Sequence, residues 1–256
     1  MLTAITRQVS PSINKCELTH LERQPIDFEI ARKQHGEYEN TLRSLGVKVI
    51  SLPAEVGLPD SVFVEDTAIV LDEIAVVTRP GADSRKPEIP SIIAALSQFR
   101  KIDGLKETAT LDGGDVLVIG KIIYVGLSSR SNPKALTQLQ KILNPYGYSI
   151  KEVEVSGCLH LKSAVTRVAE QTLLINPNWV DKKNFPGMGF IEIDPTEPSA
   201  ANALLIGKAV IYPDFFPNTC ARLELIGIRV IHLDVSEIAK AEGAVTCCSL
   251  IFNTSY

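Results

Sequence analysis

Read by its apolar and polar positions, the chain repeats one pattern. A polar residue opens an apolar strand, a short turn follows, and a second apolar strand runs out into a loop. The segments are SVFVEDTAIVLDEIAVVTRPG, ATLDGGDVLVIGKIIYVGL, LHLKSAVTRVAEQTLLINP and ANALLIGKAVIYP. A fifth, AVTCCSLIF, reaches the C-terminus without a second strand, and TAITRQVS near the N-terminus is expected to supply it, closing a ring by joining the two chain ends. Taking Asp66, Asp112, His160, Asn202 and Cys247 as equivalent points, the spacings are 112−66=46, 160−112=48, 202−160=42 and 247−202=45. Amphipathic helices are expected over Asp27 to Leu45, Glu88 to Phe99, Pro133 to Leu143, Asn218 to Leu225 and Ser236 to Ala241. Strand-like stretches follow them, including VKVISLP, YSIKEVEV, FIEID and IRVIHLDV. The predicted unit is strand, strand, helix, strand, repeated about an axis as a five-bladed α/β propeller. No module of such a ring buries its apolar faces alone, so residues 1–256 are expected to form a single domain. A doubly wound sheet also alternates strands and helices, but no GxGxxG or GxxxxGK[ST] follows a strand here to support its usual nucleotide-binding role.

Composition narrows the function classes. With 45% hydrophobic and 22% charged residues the 256-residue chain can bury a large core, and disorder is not expected. A net charge of −4 and no long Lys/Arg block argue against nucleic acid as a partner. No apolar run approaches a membrane span and the N-terminus is too polar for a secretory signal, so a cytoplasmic protein is expected, monomer or homodimer. Its five cysteines are expected to be reduced.

In such a ring the openings of the inner strands converge at one end. This would gather Glu65, Asp66, Asp112, Asp115, His160, Cys247 and Cys248. Thiol, imidazole and carboxylates are the parts of cysteine nucleophilic catalysis, and the excess of anions points to a cationic small-molecule substrate. A guanidinium fits: it is planar, permanently charged and matches carboxylates in bidentate pairs. No CxxC pair or HExxH helix supplies the usual ligand spacing, so neither a metal nor a cofactor is expected. Cys16, Cys158 and Cys220 read as structural, and His20, His35 and His232 as core or surface residues without a role. The glycines of LDGGDVL read as a bulge or a close strand approach beside the site. Arg85 and Arg130 have the alternative reading of solvated loop charges.

The segments LPDSVFVEDTAIV, TRPGADSR, LDGGDVL, GLSSRSN, LHLKS and EGAVTCCSLIFN resemble those of the dimethylarginine dimethylaminohydrolases, a family of the pentein or amidinotransferase-like superfamily. The resemblance runs over nearly the whole chain in one order. It implies a pentein propeller that hydrolyses N-omega-methylated arginine, asymmetric dimethyl or monomethyl, to citrulline and di- or monomethylamine. Cys247 would be the nucleophile, passing through a covalent thiouronium, and His160 the general acid and then base. Asp112 and Asp66 would grip the guanidinium and help orient His160, with Glu65 in the same shell. Arg85 and Arg130 would bind the substrate carboxylate, Asp60 and the Leu18 loop would meet its amino end, and Ala241 would join the substrate-binding set. Many superfamily relatives carry Glu where this chain has the shorter Asp112. Lys162, two residues after His160, departs from the HxD of arginine deiminases and favours a methylated substrate. The competing readings are an arginine or agmatine deiminase of the same superfamily, which would release ammonia, and a non-catalytic propeller that binds a partner.

Overall fold

A computed structural model describes residues 1–254. Its strands are β1 (Leu2–Arg7), β2 (Lys48–Leu52), β3 (Ala68–Val70), β4 (Ile74–Val77), β5 (Lys101–Gly104), β6 (Val116–Ile119), β7 (Ile122–Leu127) and β8 (Ser149–Glu154). They continue with β9 (Val165–Ala169), β10 (Thr172–Ile175), β11 (Gly189–Glu192), β12 (Leu204–Ile206), β13 (Ala209–Pro213), β14 (Arg229–Leu233) and β15 (Leu250–Asn253). The helices are α1 (Phe28–Ser44), α2 (Ile89–Leu96), α3 (Pro133–Leu143), α4 (Leu161–Ala164), α5 (Pro217–Leu225) and α6 (Ser236–Ala239).

The strands form five sheets of three, ordered β15-β1-β2, β3-β4-β5, β6-β7-β8, β9-β10-β11 and β12-β13-β14. In each, the central strand pairs antiparallel with the inner strand and parallel with the outer one. A parallel partner needs a crossover, and α1, α2, α3 and α5 supply it in four modules. Local chemistry starts two of them: the Asp27 carboxylate accepts from the Ile30 amide at 3.0 Å, and the Asn132 carbonyl accepts from Ala135 at 3.2 Å ahead of Pro133. The β9–β11 module departs from the expected unit, because NPNWVDKKNFPGMG is broken by Pro177 and Pro186 and forms only a 3-10 turn, Lys182–Asn184. Phe185, fully buried, packs its ring 4.8 Å from that of Tyr124 and takes the missing helix's place in the core.

The core explains why the central strands read as continuous apolar runs. Among the described residues there are five buried clusters, each between two neighbouring sheets. Side chains alternate along a strand, so Ile74 and Val76 of β4 enter one cluster and Ala75 the next. Ile123 and Val125 of β7 go one way and Tyr124 the other, and β10 divides Leu173 and Ile175 from Leu174 in the same manner. The cluster between the fifth and first modules unites Ile211 and Leu233 with Ala4 and Leu42, so the ring is closed. The chain ends are stitched as expected, with Leu2 opposite Asn253 and Ile5 opposite Leu250. This is the five-module α/β propeller expected from the repeat. An axial cavity of about 280 Å³ runs between the inner strands of all five modules.

Candidate active site

Each inner strand is entered through a turn, and the turns carry the chemistry. Val64–Thr67 holds Glu65 and Asp66, Gly113–Asp115 follows Asp112, and His160 precedes α4. Asn202 and Cys247 precede β12 and β15. Adjacent turns are tied by hydrogen bonds that run around the axis. The Glu65 amide donates to the Cys247 carbonyl at 3.1 Å, Gly114 to Asp66 at 2.9 Å, and Leu161 to Asp115 at 2.9 Å. The Asn202 amide group donates to the Lys162 carbonyl at 3.0 Å, and the Thr246 amide donates to the Asn202 side chain at 3.2 Å. The paired glycines exist for this approach. A Cβ on Gly113 would lie 2.0 Å from the Glu65 carbonyl, and one on Gly114 2.6 Å from His160 Nδ1 and 2.9 Å from Asp66. The close-approach reading of LDGGDVL is the one the structure bears out.

Above this ring is a cavity of about 20 Å³ lined by Cys247, His160, Asp66, Asp112, Asp60, Arg85, Arg130 and Ala241. His160 Nε2 lies 3.1 Å from Asp112 Oδ2, whose other oxygen accepts from the Gly81 amide at 2.8 Å. Burial alone would lower the His160 pKa, but Asp66, the bond from Asp112 and the charge of Asp115 outweigh it and raise the imidazole to about 9. Burial likewise opposes the charge of Asp66, yet His160 and Arg85 hold its carboxyl below the ordinary value. Cys247 is pushed the opposite way, to about 12, by burial and the negative fields of Glu65 and Asp66. At neutral pH these shifts favour an imidazolium and a protonated thiol side by side with carboxyl groups.

Several side chains sit differently from the sequence-based picture. Glu65 does not line the small cavity; its carboxylate is clamped by Lys162 at 2.6 Å and Thr246 at 2.8 Å, facing the axial cavity. Arg85 does line it, but Glu88 takes its Nε and Nη2, Asp66 takes Nη1, and the carbonyls of Asp60 and Phe63 share Nη2, leaving one Nη1 N–H for anything else. It is buried and ion-paired, not a solvated loop charge. Leu18 packs at the edge of the core cluster that Cys247 also touches, and its neighbour Glu17 lines the cavity instead. Cys248 points into that core, 3% exposed. The cysteines face opposite ways as expected, although they lie in the turn before β15 and not in a strand.

Sequence reasoning missed Glu242. Its carboxylate accepts from three successive backbone amides of the overlying loop, Thr19 at 3.0 Å, His20 at 2.5 Å and Leu21 at 2.6 Å. Asp60 holds the Glu17 amide at 3.1 Å and Arg130 donates to Thr19 Oγ1 at 3.0 Å, so residues 17–21 form a lid fastened on three sides. Glu242 adopts φ 57°, rare for a residue other than glycine and the one local sign of an imposed conformation.

The family pattern described as N,N dimethylarginine dimethylhydrolase, eukaryotic, matches residues 6–185. A dimethylarginine dimethylaminohydrolase of Pseudomonas aeruginosa is 35% identical over 228 residues, covering 88% of this chain and 90% of that protein. The chain belongs to the dimethylarginine dimethylaminohydrolase family. A second member, from Streptomyces coelicolor, is 35% identical over 255 residues, covering 99% of this chain and 98% of its own length. The Pseudomonas aeruginosa family member, solved as a cysteine-to-serine mutant complexed with citrulline, superposes with a TM-score of 0.93 at 33% identity over 98% of both chains. A dimethylarginine dimethylaminohydrolase solved as a histidine-to-glycine variant in adduct with S-methyl-L-thiocitrulline gives 0.92 at 33% identity over 98% of this chain and 99% of that one. The N-terminal domain of a cyanobacterial arginine dihydrolase shares the fold at 19% identity, with a TM-score of 0.85 over 99% of this chain and 98% of that one.

Proposed function

We propose that this protein hydrolyses N-omega-methylated L-arginine to L-citrulline and methylamine or dimethylamine, with Cys247 as nucleophile. The observation that carries this reading is the convergence of a thiol, an imidazolium and five carboxyl side chains, Glu17, Asp60, Asp66, Asp112 and Glu242, on one lidded cavity, in a chain of this family. A substrate guanidinium entering beside Asp66 and Asp112 brings a positive charge to the thiol, offsetting the field that keeps Cys247 protonated. Once the thiol has passed its proton to solvent, the thiolate attacks the guanidinium carbon. His160, already protonated, gives its proton to the methylated nitrogen, the C–N bond breaks and the amine leaves, with a thiouronium remaining on Cys247. Neutral His160 then takes a proton from water, the resulting hydroxide adds to the same carbon, and the C–S bond breaks as the hydroxyl proton passes to the departing sulfur, giving citrulline and the Cys247 thiol. Asp112 keeps the imidazole ring oriented through both steps.

Arg130 and the free N–H of Arg85 are suited to the substrate carboxylate, while Asp60, Ala241 and the loop that carries Leu18 would meet its amino end. The 20 Å³ cavity accommodates about one water, so substrate entry requires the lid to open. The five interlocked clusters support residues 1–256 acting as one catalytic domain. Among the described residues no helix is long and apolar enough to cross a membrane; with the balanced composition this favours the cytoplasm, as monomer or homodimer. The test is release of citrulline and amine from asymmetric dimethylarginine, monomethylarginine, arginine and agmatine, with a chelator present. Citrulline with dimethylamine supports the reading; ammonia from arginine or agmatine alone overturns the substrate, and no turnover at all favours a binding module.

A further inference from the structure

Far from the catalytic turns, α5 and β14 bring together three donors of different chemistry. Cys220 and Glu224 lie one helical turn apart on α5, and His232 projects from the neighbouring strand β14. His232 Nε2 is 3.9 Å from Cys220 Sγ and 3.5 Å from Glu224 Oε1, and donor atoms of all three lie within 4.8 Å of one another. We propose that Cys220, Glu224 and His232 form a binding site for a borderline-soft divalent cation of the Zn²⁺ type. One sulfur, one imidazole nitrogen and one carboxylate oxygen are the donor set that Zn²⁺ and Co²⁺ favour over the all-oxygen shells of Ca²⁺ and Mg²⁺.

Bond lengths of about 2.0–2.3 Å at tetrahedral angles put donor edges at roughly 3.3–3.5 Å. The two separations from His232 exceed that by only a few tenths of an ångström, and the third, between Cys220 and Glu224, lies within 4.8 Å. Glu224 and His232 are solvent-exposed and can swing inward, while Cys220, 4% exposed, is the fixed point on the core side. On binding, the thiol releases its proton to solvent, so thiolate, carboxylate and neutral imidazole cancel the cation's two charges, and a water completes the fourth position. The ion would pin α5 to the strand beside it at the rim of the fifth module. Among the described residues the other three-donor cluster, Asp66, Asp112 and His160, already spends its oxygens on Arg85, Gly114, Gly81 and the imidazole, and the Arg85 cation adjoins it.

The test uses full-length protein carrying Cys247→Ser, which removes the catalytic thiol as a competing ligand. Titration with Co²⁺ should give a saturable thiolate-to-cobalt charge-transfer band, and Zn²⁺ should displace it at one ion per chain. Adding Cys220→Ser should abolish the band, and His232→Ala or Glu224→Gln, both at exposed positions, should weaken Zn²⁺ binding by about tenfold or more in calorimetry. Turnover by the Cys220→Ser single variant reports whether that substitution leaves the fold intact. A band that survives Cys220→Ser, or binding indifferent to His232→Ala and Glu224→Gln, overturns the site, as does the absence of any band at millimolar Co²⁺.

Discussion

The Glu242→Gln substitution isolates the lid fastening, because it keeps the side chain's size while removing the charge and one of the two accepting oxygens. The carboxylate receives the amides of Thr19, His20 and Leu21. Hydrogen bonds to a charged acceptor contribute about 1.5–3 kcal/mol each when shielded, and less at a partly solvated site such as this one. Losing the charge and one oxygen should therefore cost the closed lid about 1–2 kcal/mol, which raises the open fraction roughly 5–30-fold. Amide hydrogen exchange in the unliganded protein reads that fraction directly: protection at residues 19–21 should fall by the same factor, while the amides of β4 and β7 in the core stay unchanged. The same variant should raise KM for methylated arginine, because closing the lid over substrate becomes costlier, and change kcat less if chemistry limits it. Unaltered exchange at residues 19–21 would refute the argument, since it would mean that Asp60 and Arg130 hold the loop without Glu242.

Four further predictions concern the turns beneath the lid. Cys247→Ser should abolish citrulline formation but retain ligand binding by calorimetry, whereas Cys248→Ser, altering a residue that faces the core, should keep most activity. Gly114→Ala should lower kcat/KM by about 100-fold or more, because its methyl would occupy the place of the His160 ring. Lys162→Met leaves Glu65 buried without its cation and should destabilise the fold by roughly 3–5 kcal/mol in urea unfolding, with Lys162→Met/Glu65→Gln recovering much of the loss. The pKa of His160 is raised to about 9 on folding, so its protonation stabilises the native state fully below pH ~6.5 and that contribution disappears as pH rises through about 9. Urea titrations across this window should show the decline, and His160→Gln should flatten it.

Much of this arrangement is legible in the sequence because the propeller writes one instruction five times. The recurrence from Asp66 through Cys247 places those residues at equivalent turns, and closure then forces them to meet whatever their separation along the chain. The same logic missed the helix-free module, where a single buried Phe185 substitutes for a helix without leaving a periodic trace. It also gave Glu65 to the cavity when Lys162 turns it toward the axis, because side-chain direction within a 3-10 turn does not follow strand alternation. Glu242 and residues 19–21 carry no local signature at all. Their partnership arises only where a loop from one end of the chain folds over a turn near the other, and the Cys220–His232 proximity depends on how α5 lies across β14.

The pairing of β1 with β15 also governs when the protein becomes chemically competent. β1 is made well before β15 and before the Cys247 thiol that precedes β15. Until β15 is made the first sheet lacks one strand, the core clusters on both sides of that sheet are incomplete, and the thiol proposed as nucleophile is absent. On the proposed role of Cys247, the site is complete only once β15 has paired with β1, so a chain cut before Cys247 should form no citrulline.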